Sequence, residues 1–164
     1  MARPAPAQCG LTLVELMISL AIAALLAAPL VAMIRGAFSA QSVAGDANAV
    51  AQQARFAMQR MEAVARATAP HVLTNPSANS TGNYFDPVQF CRKPSANVLR
   101  ETTTADNPCT AGRVIADNVV SFDAAQFNAG PGAAQVVQLQ LTTTGSTGQS
   151  VTLLSRARLG GGTL

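Results

Sequence analysis

The chain has no tryptophan, one tyrosine (Tyr84), one histidine (His71) and one lysine (Lys93), and only 12% of its 164 residues are charged. Each scarcity excludes a class of chemistry. A Ser–His–Asp centre would have to use His71, which follows Pro70 at an expected helix end and reads as a solvated loop residue. Cys91 and Cys109 with that one histidine match no compact metal-ligand spacing. Asp106, Asp117 and Asp123 lie in loop-like stretches that lack the dense Asp/Asn/Gly loop favoured by calcium. Gly145, Gly148 and Gly160 to Gly162 precede no strand-to-helix junction, so they do not cradle a phosphate. The net charge of +3 is too small to imply nucleic-acid binding. No cofactor, no metal and no enzymatic activity are expected.

What the chain does have is one long apolar run. It extends from Leu11 to Ile34, 24 residues, enough at about 1.5 Å per residue to cross a hydrocarbon layer roughly 30 Å thick as a helix. A polar leader ending at Gly10 precedes it, and the only carboxylate near the run is Glu15, five residues after that glycine. A carboxylate within such a segment costs on the order of 2.5–3.5 kcal/mol at the centre and less near an end, so it marks a function. Its natural partner is a newly exposed α-amine.

Gly10-Leu11-Thr12-Leu13-Val14-Glu15-Leu16 resembles the type III signal of type IV pilins and type II secretion pseudopilins. The resemblance implies cleavage between Gly10 and Leu11 by a prepilin peptidase, N-methylation of Leu11, and pairing of Glu15 with the N-terminal amine of a neighbouring subunit. The family usually has phenylalanine where this chain has Leu11, and leucine keeps the apolar character. The partners implied are the peptidase, other pilins or pseudopilins through the N-terminal helix, the inner-membrane assembly platform and the membrane. The expected fold is pilin-like α+β: a long N-terminal membrane-spanning helix whose C-terminal half packs against a small antiparallel β-sheet head. The function implied is that of a minor pilin that initiates or caps a type IV pilus. The alternatives are a minor pseudopilin of type II secretion and, in another class, a membrane-anchored periplasmic binding module.

Other N-terminal signals fit less well. An ordinary secretory signal has an apolar core of about 7–15 residues and a small-residue cleavage site after it. A lipoprotein signal puts its cysteine after the apolar run, whereas Cys9 precedes it. Arg3, with no acid in the leader, favours a cytoplasmic N-terminus and an exported, periplasmic head. Loss of residues 1–10 would leave a mature chain of 154 residues with Cys91 and Cys109 as an even pair facing an oxidising compartment, which predicts a disulfide.

The rest of the chain divides by pattern. Residues 35–69 continue the helix in an amphipathic form, with Val43, Ala47, Val50, Ala54, Ala57, Met61 and Val64 at alternating steps of four and three. Pro29 is expected to kink or loosen a turn, and Pro70 to end the helix. Residues 70–113, punctuated by Asn75-Pro76, Asp86-Pro87 and Asn107-Pro108, read as a long connection with short strands, tied to the core by Tyr84-Phe85 and Val88 to Phe90. Residues 114–159 read as antiparallel strands, with Val137, Leu139 and Leu141 on one face, a loop from Thr142 to Ser150, and Val151, Leu153 and Leu159 in phase after it. Arg156 and Arg158 share a face of the last strand and read as solubility devices, and 160–164 form a flexible tail.

Overall fold

In the computed structural model, described for residues 12–104, 106, 109–127 and 135–160, one helix precedes six strands. The leader 1–10, Leu11, the Asn107-Pro108 turn and the end of the tail lie outside the described residues. The helix, α1, spans Leu13–Ala67. The chain divides between Ser42 and Val43 into two compact units.

In the first unit the sequence supplies alanine, leucine and methionine, all strong helix formers, and helical assignment passes through Pro29 and Gly36 without a break. Pro29 therefore lies inside the helix without ending it. No side chain from Leu13 to Ser42 is buried.

The second unit begins on the helical stripe expected from the sequence. Val50, Ala54, Ala57, Met61 and Val64 are buried, joined by Met58 and Ala65, while Val43 and Ala47 are half-buried. The helix stops where Thr68 donates through both its amide and its hydroxyl to the Val64 carbonyl (2.9 and 2.8 Å), two residues before Pro70. Thr68 then accepts from the amide of Gly160 (2.8 Å). Gly160 has φ +86°, and a Cβ there would collide with the Pro70 ring, so only glycine lets the chain pass the helix end so closely.

Two three-stranded antiparallel sheets stand where a single small sheet was expected. The first contains β1 (Val88–Lys93), β2 (Val98–Thr103) and β3 (Arg113–Ala116), in the order β1-β2-β3. The second contains β4 (Val119–Phe127), β5 (Val136–Thr144) and β6 (Ser150–Arg158), in the order β4-β5-β6. The segment 70–113 is thus more ordered than a connection. Six paired positions, from Val88↔Thr103 to Lys93↔Val98, make a full hairpin closed by Pro94 to Asn97, where Asn97 adopts φ +52°. The loop expected over 142–150 shrinks to Gly145–Gln149, because Thr142, Thr143 and Thr144 pair with Thr152, Val151 and Ser150.

The core joins helix and both sheets. Val137, Leu139 and Leu141 are fully buried on alternate positions of β5, as period-two patterning requires. They meet Met58 and Met61 from α1, and Tyr84, Phe85, Phe90 and Leu99 from the region before β3. Phe85 and Phe90 stack edge to face, with centroids 5.8 Å apart. Arg92 stitches the sheets together: its Nε donates to the Val119 carbonyl (2.7 Å), and its terminal nitrogens donate to Asn79 (3.3 Å) and Asn97 (2.9 Å).

Candidate functional site

The helix start is built by two side chains. Thr12 stands just before α1 and its hydroxyl accepts from the amide of Glu15 (3.3 Å), while its carbonyl accepts from Leu16 (3.2 Å). Thr12 is therefore an N-cap with a glutamate at the third helical position, the spacing of a capping box. The Thr-x-x-Glu signal was present in the sequence and gives Glu15 a local reason for its place: a negative charge in the first turn favours the positive end of the helix dipole. The Glu15 carbonyl accepts from the Ser19 hydroxyl (2.8 Å), so the first turns are held from outside as well as by the ladder.

Beyond this cap the helix presents apolar groups in every direction. Leu13 is 77% exposed, Leu25 75% and Met33 74%. Burying one such side chain stabilises by about 1.5–3 kcal/mol, so a run of them left in water is unfavourable. The helix contains a window long and apolar enough to cross a membrane, and none of that window is buried. A surface apolar on all sides suits lipid or other apolar helices rather than one face of a globular core. Among the described residues Glu15 has no ion-pair partner. Gly10 and Leu11, the expected cleavage and methylation positions, lie outside the described residues.

The other singled-out residues belong to the head and gather at no common centre. Cys91 on β1 and Cys109 are joined by a disulfide, with Cα atoms 6.0 Å apart. Asp106 accepts from the Thr102 hydroxyl (3.0 Å), the Thr110 amide and hydroxyl (3.3 and 3.0 Å) and the Ala111 amide (2.9 Å). Chiefly the Ala111 amide holds its carboxyl below the ordinary carboxylate range, and these internal donors occupy the lone pairs a cation would need. Asp117 reaches Gln53 (3.4 Å), and no group of three metal-binding side chains occurs among the described residues. Arg156 lies over the Phe127 ring (3.8 Å to the centroid) and donates to Gln138 (3.0 Å), so it packs on its own sheet.

His71 is not the solvated loop residue expected. It is half-buried, and both ring nitrogens face carbonyl oxygens: Nδ1 lies 3.0 Å from Ala69 and Nε2 2.7 Å from Asn83. Asp46 had no signal in the sequence. Its carboxylate enters the β5–β6 turn, where it accepts from the Thr147 amide (2.8 Å), the Thr147 hydroxyl (2.6 Å) and the Ser146 hydroxyl (3.1 Å). A side chain at Gly145 would strike that carboxylate, which is why the turn carries glycine there. These donors, the Thr147 hydroxyl first, lower the Asp46 carboxyl to about 2.

Residues 6–31 match a family model described as the prokaryotic N-terminal methylation motif. The match covers the last five residues of the leader, the cap, Glu15 and most of the apolar run, and it supports the type IV pilin-like family; it includes none of the head. Nothing among curated proteins or solved structures matches the chain.

Proposed function

We propose that this chain is a minor pilin: a non-enzymatic subunit made as a membrane-anchored precursor, cut between Gly10 and Leu11, methylated at Leu11, and assembled into or at the tip of a type IV pilus to initiate the filament. One observation carries the proposal. A prepilin-type methylation motif runs directly into a helix that buries no side chain over its first thirty residues and holds a single carboxylate in its first turn.

The chemistry follows from the solvent. In the bilayer every main-chain polar group must be satisfied within the segment, and a helix does this. When the subunit leaves the membrane, the apolar surface from Leu13 to Phe38 has to be covered again, and packing among the same helices of neighbouring subunits covers it without exposing it to water. Glu15 then marks register. Cleavage gives each subunit a cationic α-amine at Leu11, and a carboxylate four residues on can neutralise the amine of a neighbour where the surroundings are dry. An ion pair of this kind favours one alignment over others because misalignment leaves a charge unpaired. The head, folded around the 43–67 part of α1, stays in the periplasm and later on the filament surface.

The direct test is the intact mass of protein recovered from membranes. The expected mass is that of residues 11–164 plus one methyl group; retention of residues 1–10, or a cut after Ala28, rejects the proposal.

A further inference from the structure

The loop between His71 and Asn83 is closed at its base and folded over a sheet edge. At the base, His71 Nε2 meets the Asn83 main-chain carbonyl, the Asn83 side-chain Nδ2 donates to the Val72 carbonyl (2.9 Å), and the Thr74 amide and hydroxyl donate to Asn83 Oδ1 (3.0 Å each). Along its returning arm, the loop takes up main-chain groups on the outer edge of β1: Thr81 donates to the Phe90 carbonyl (2.8 Å), Arg92 donates to the Asn79 carbonyl (2.7 Å), and Phe90 donates to the Thr81 hydroxyl (2.9 Å). An open edge strand is a template for pairing, so this loop covers what would otherwise be reactive backbone.

We propose that His71 is a proton-operated clasp, closing the 72–82 loop over β1 when its imidazole carries two protons and loosening it when one is lost. The geometry supports this coupling. Only imidazolium can donate from both nitrogens; a neutral ring donates from one and turns a lone pair toward the other carbonyl, whichever tautomer forms. The His71 main chain is anchored on both sides by Gln135, which accepts from its amide (3.1 Å) and donates to its carbonyl (2.6 Å), so the ring projects from a fixed point.

The surrounding charges act in the same direction. The Ala69 carbonyl, then the Asn83 carbonyl, raise the imidazole above its ordinary value near 6.5; burial opposes them, and the charge of Asp86 adds a raising effect smaller than that of burial. Ala69, just past the end of α1, and Gln135, just before β5, are both uncharged, so Asp86 is the charged side chain acting on the ring among the described residues. A raised value in the folded state means that the clasp contributes fully below about 6.5 and is lost as pH rises through the folded value. Loosening releases the edge of β1 near Phe90 and Arg92.

The chain has one histidine, so its imidazole signal in an NMR titration of the full-length protein in detergent is unambiguous. The expected midpoint lies above 6.5. Across that midpoint the hydrogen-exchange protection factors of Thr81 and Arg92 should fall about tenfold for each unit of the shift, while that of Leu141 stays constant. The step should vanish in His71→Gln, which has neither the charge nor the second ring donor. Asp86→Asn leaves the ring in place and should move the midpoint and the protection step down together. A midpoint at or below 6.5, a step that persists in His71→Gln, or a step that stays put when Asp86→Asn moves the midpoint overturns the proposal.

Discussion

Along α1, Leu25 is 75% exposed and Met61 is fully buried, although both sit in the same unbroken helix. Secondary structure is therefore not what separates the two units; the distribution of apolar groups is. From Leu13 to Ile34 they surround the helix, and every one of them is exposed. From Val50 to Ala65, apart from the exposed Phe56, the larger ones form one stripe, with Gln52, Arg55 and Gln59 exposed beside it, and that stripe becomes the floor of a core. One part of the helix is finished by folding and the other only by a membrane or another subunit. Substitutions should divide accordingly: those in the head should change its stability, and those near the N-terminus should change assembly and leave the head's stability alone.

The largest effect is expected from Phe90→Ala. Phe90 is fully buried on β1 and packs edge to face on Phe85, so truncation removes transfer energy and leaves a cavity, about 3–5 kcal/mol together. Tyr84 offers a clean readout, being the sole tyrosine in a chain without tryptophan and fully buried in the head. Its near-ultraviolet signal in a denaturant titration should shift markedly for Phe90→Ala. The matched change Leu25→Ala in the exposed helix should leave that transition where it was. Equal shifts for the two would break the comparison.

Next is the disulfide. Replacing Cys91 and Cys109 together should lower the head's stability by about 2–5 kcal/mol, because the unfolded chain regains the freedom of the loop between them. The same denaturant titration reads it, and an unchanged midpoint would mean that hydrogen bonds such as those of Asp106 hold the segment by themselves.

The helical stripe, the alternation in β5 and the Gly10 to Leu16 signal were all legible, since each is a local pattern with a physical period or fixed spacing. The β1–β2 hairpin was not. Its second strand reads Val98-Leu99-Arg100-Glu101-Thr102-Thr103, with only two apolar residues, and it is made a strand by pairing with β1 rather than by its own composition. The helix-to-turn contact of Asp46 was equally hidden. Its donors lie 100 and 101 residues away, and nothing in the neighbourhood of Gly45-Asp46-Ala47 distinguishes a clamp from an exposed helical carboxylate. The apolar surface of the first unit was legible for the opposite reason: a run that is apolar on every side is read from local composition alone.

Asp46 supplies a smaller effect that depends on pH. Its folded value near 2 lies below the ordinary 3.8, so its contribution is fully present above about pH 4 and is lost as pH falls through 2. Glu101 is lowered as well, first by its hydrogen bond with Arg60, and acts in the same direction. Asp46→Asn should flatten part of the acid dependence of the Tyr84-monitored transition without abolishing it. An acid limb identical to that of the unsubstituted protein would show that the turn does not depend on this carboxylate.

The smallest expected effect on folding is at Glu15, and there the two units should separate most clearly. Glu15→Ala removes a favourable charge from the first turn of α1, about 0.3–1 kcal/mol for the local helix end, while the Thr12 cap to the residue 15 amide remains. The head's denaturant midpoint should not move, since Glu15 belongs to the first unit and the head to the second. Cleavage should also survive, because Gly10 and Leu11 are untouched. Incorporation should not: without its carboxylate the subunit leaves a neighbouring α-amine unpaired in an apolar setting, which costs several kcal/mol where the site is dry. Sheared surface filaments and membrane fractions probed with one antibody against the head would show normal membrane levels and a steep loss from filaments. Equal incorporation would mean that the carboxylate is no assembly contact in this chain, and the subunit would then belong at the filament tip, where no earlier subunit presents an amine for it to meet.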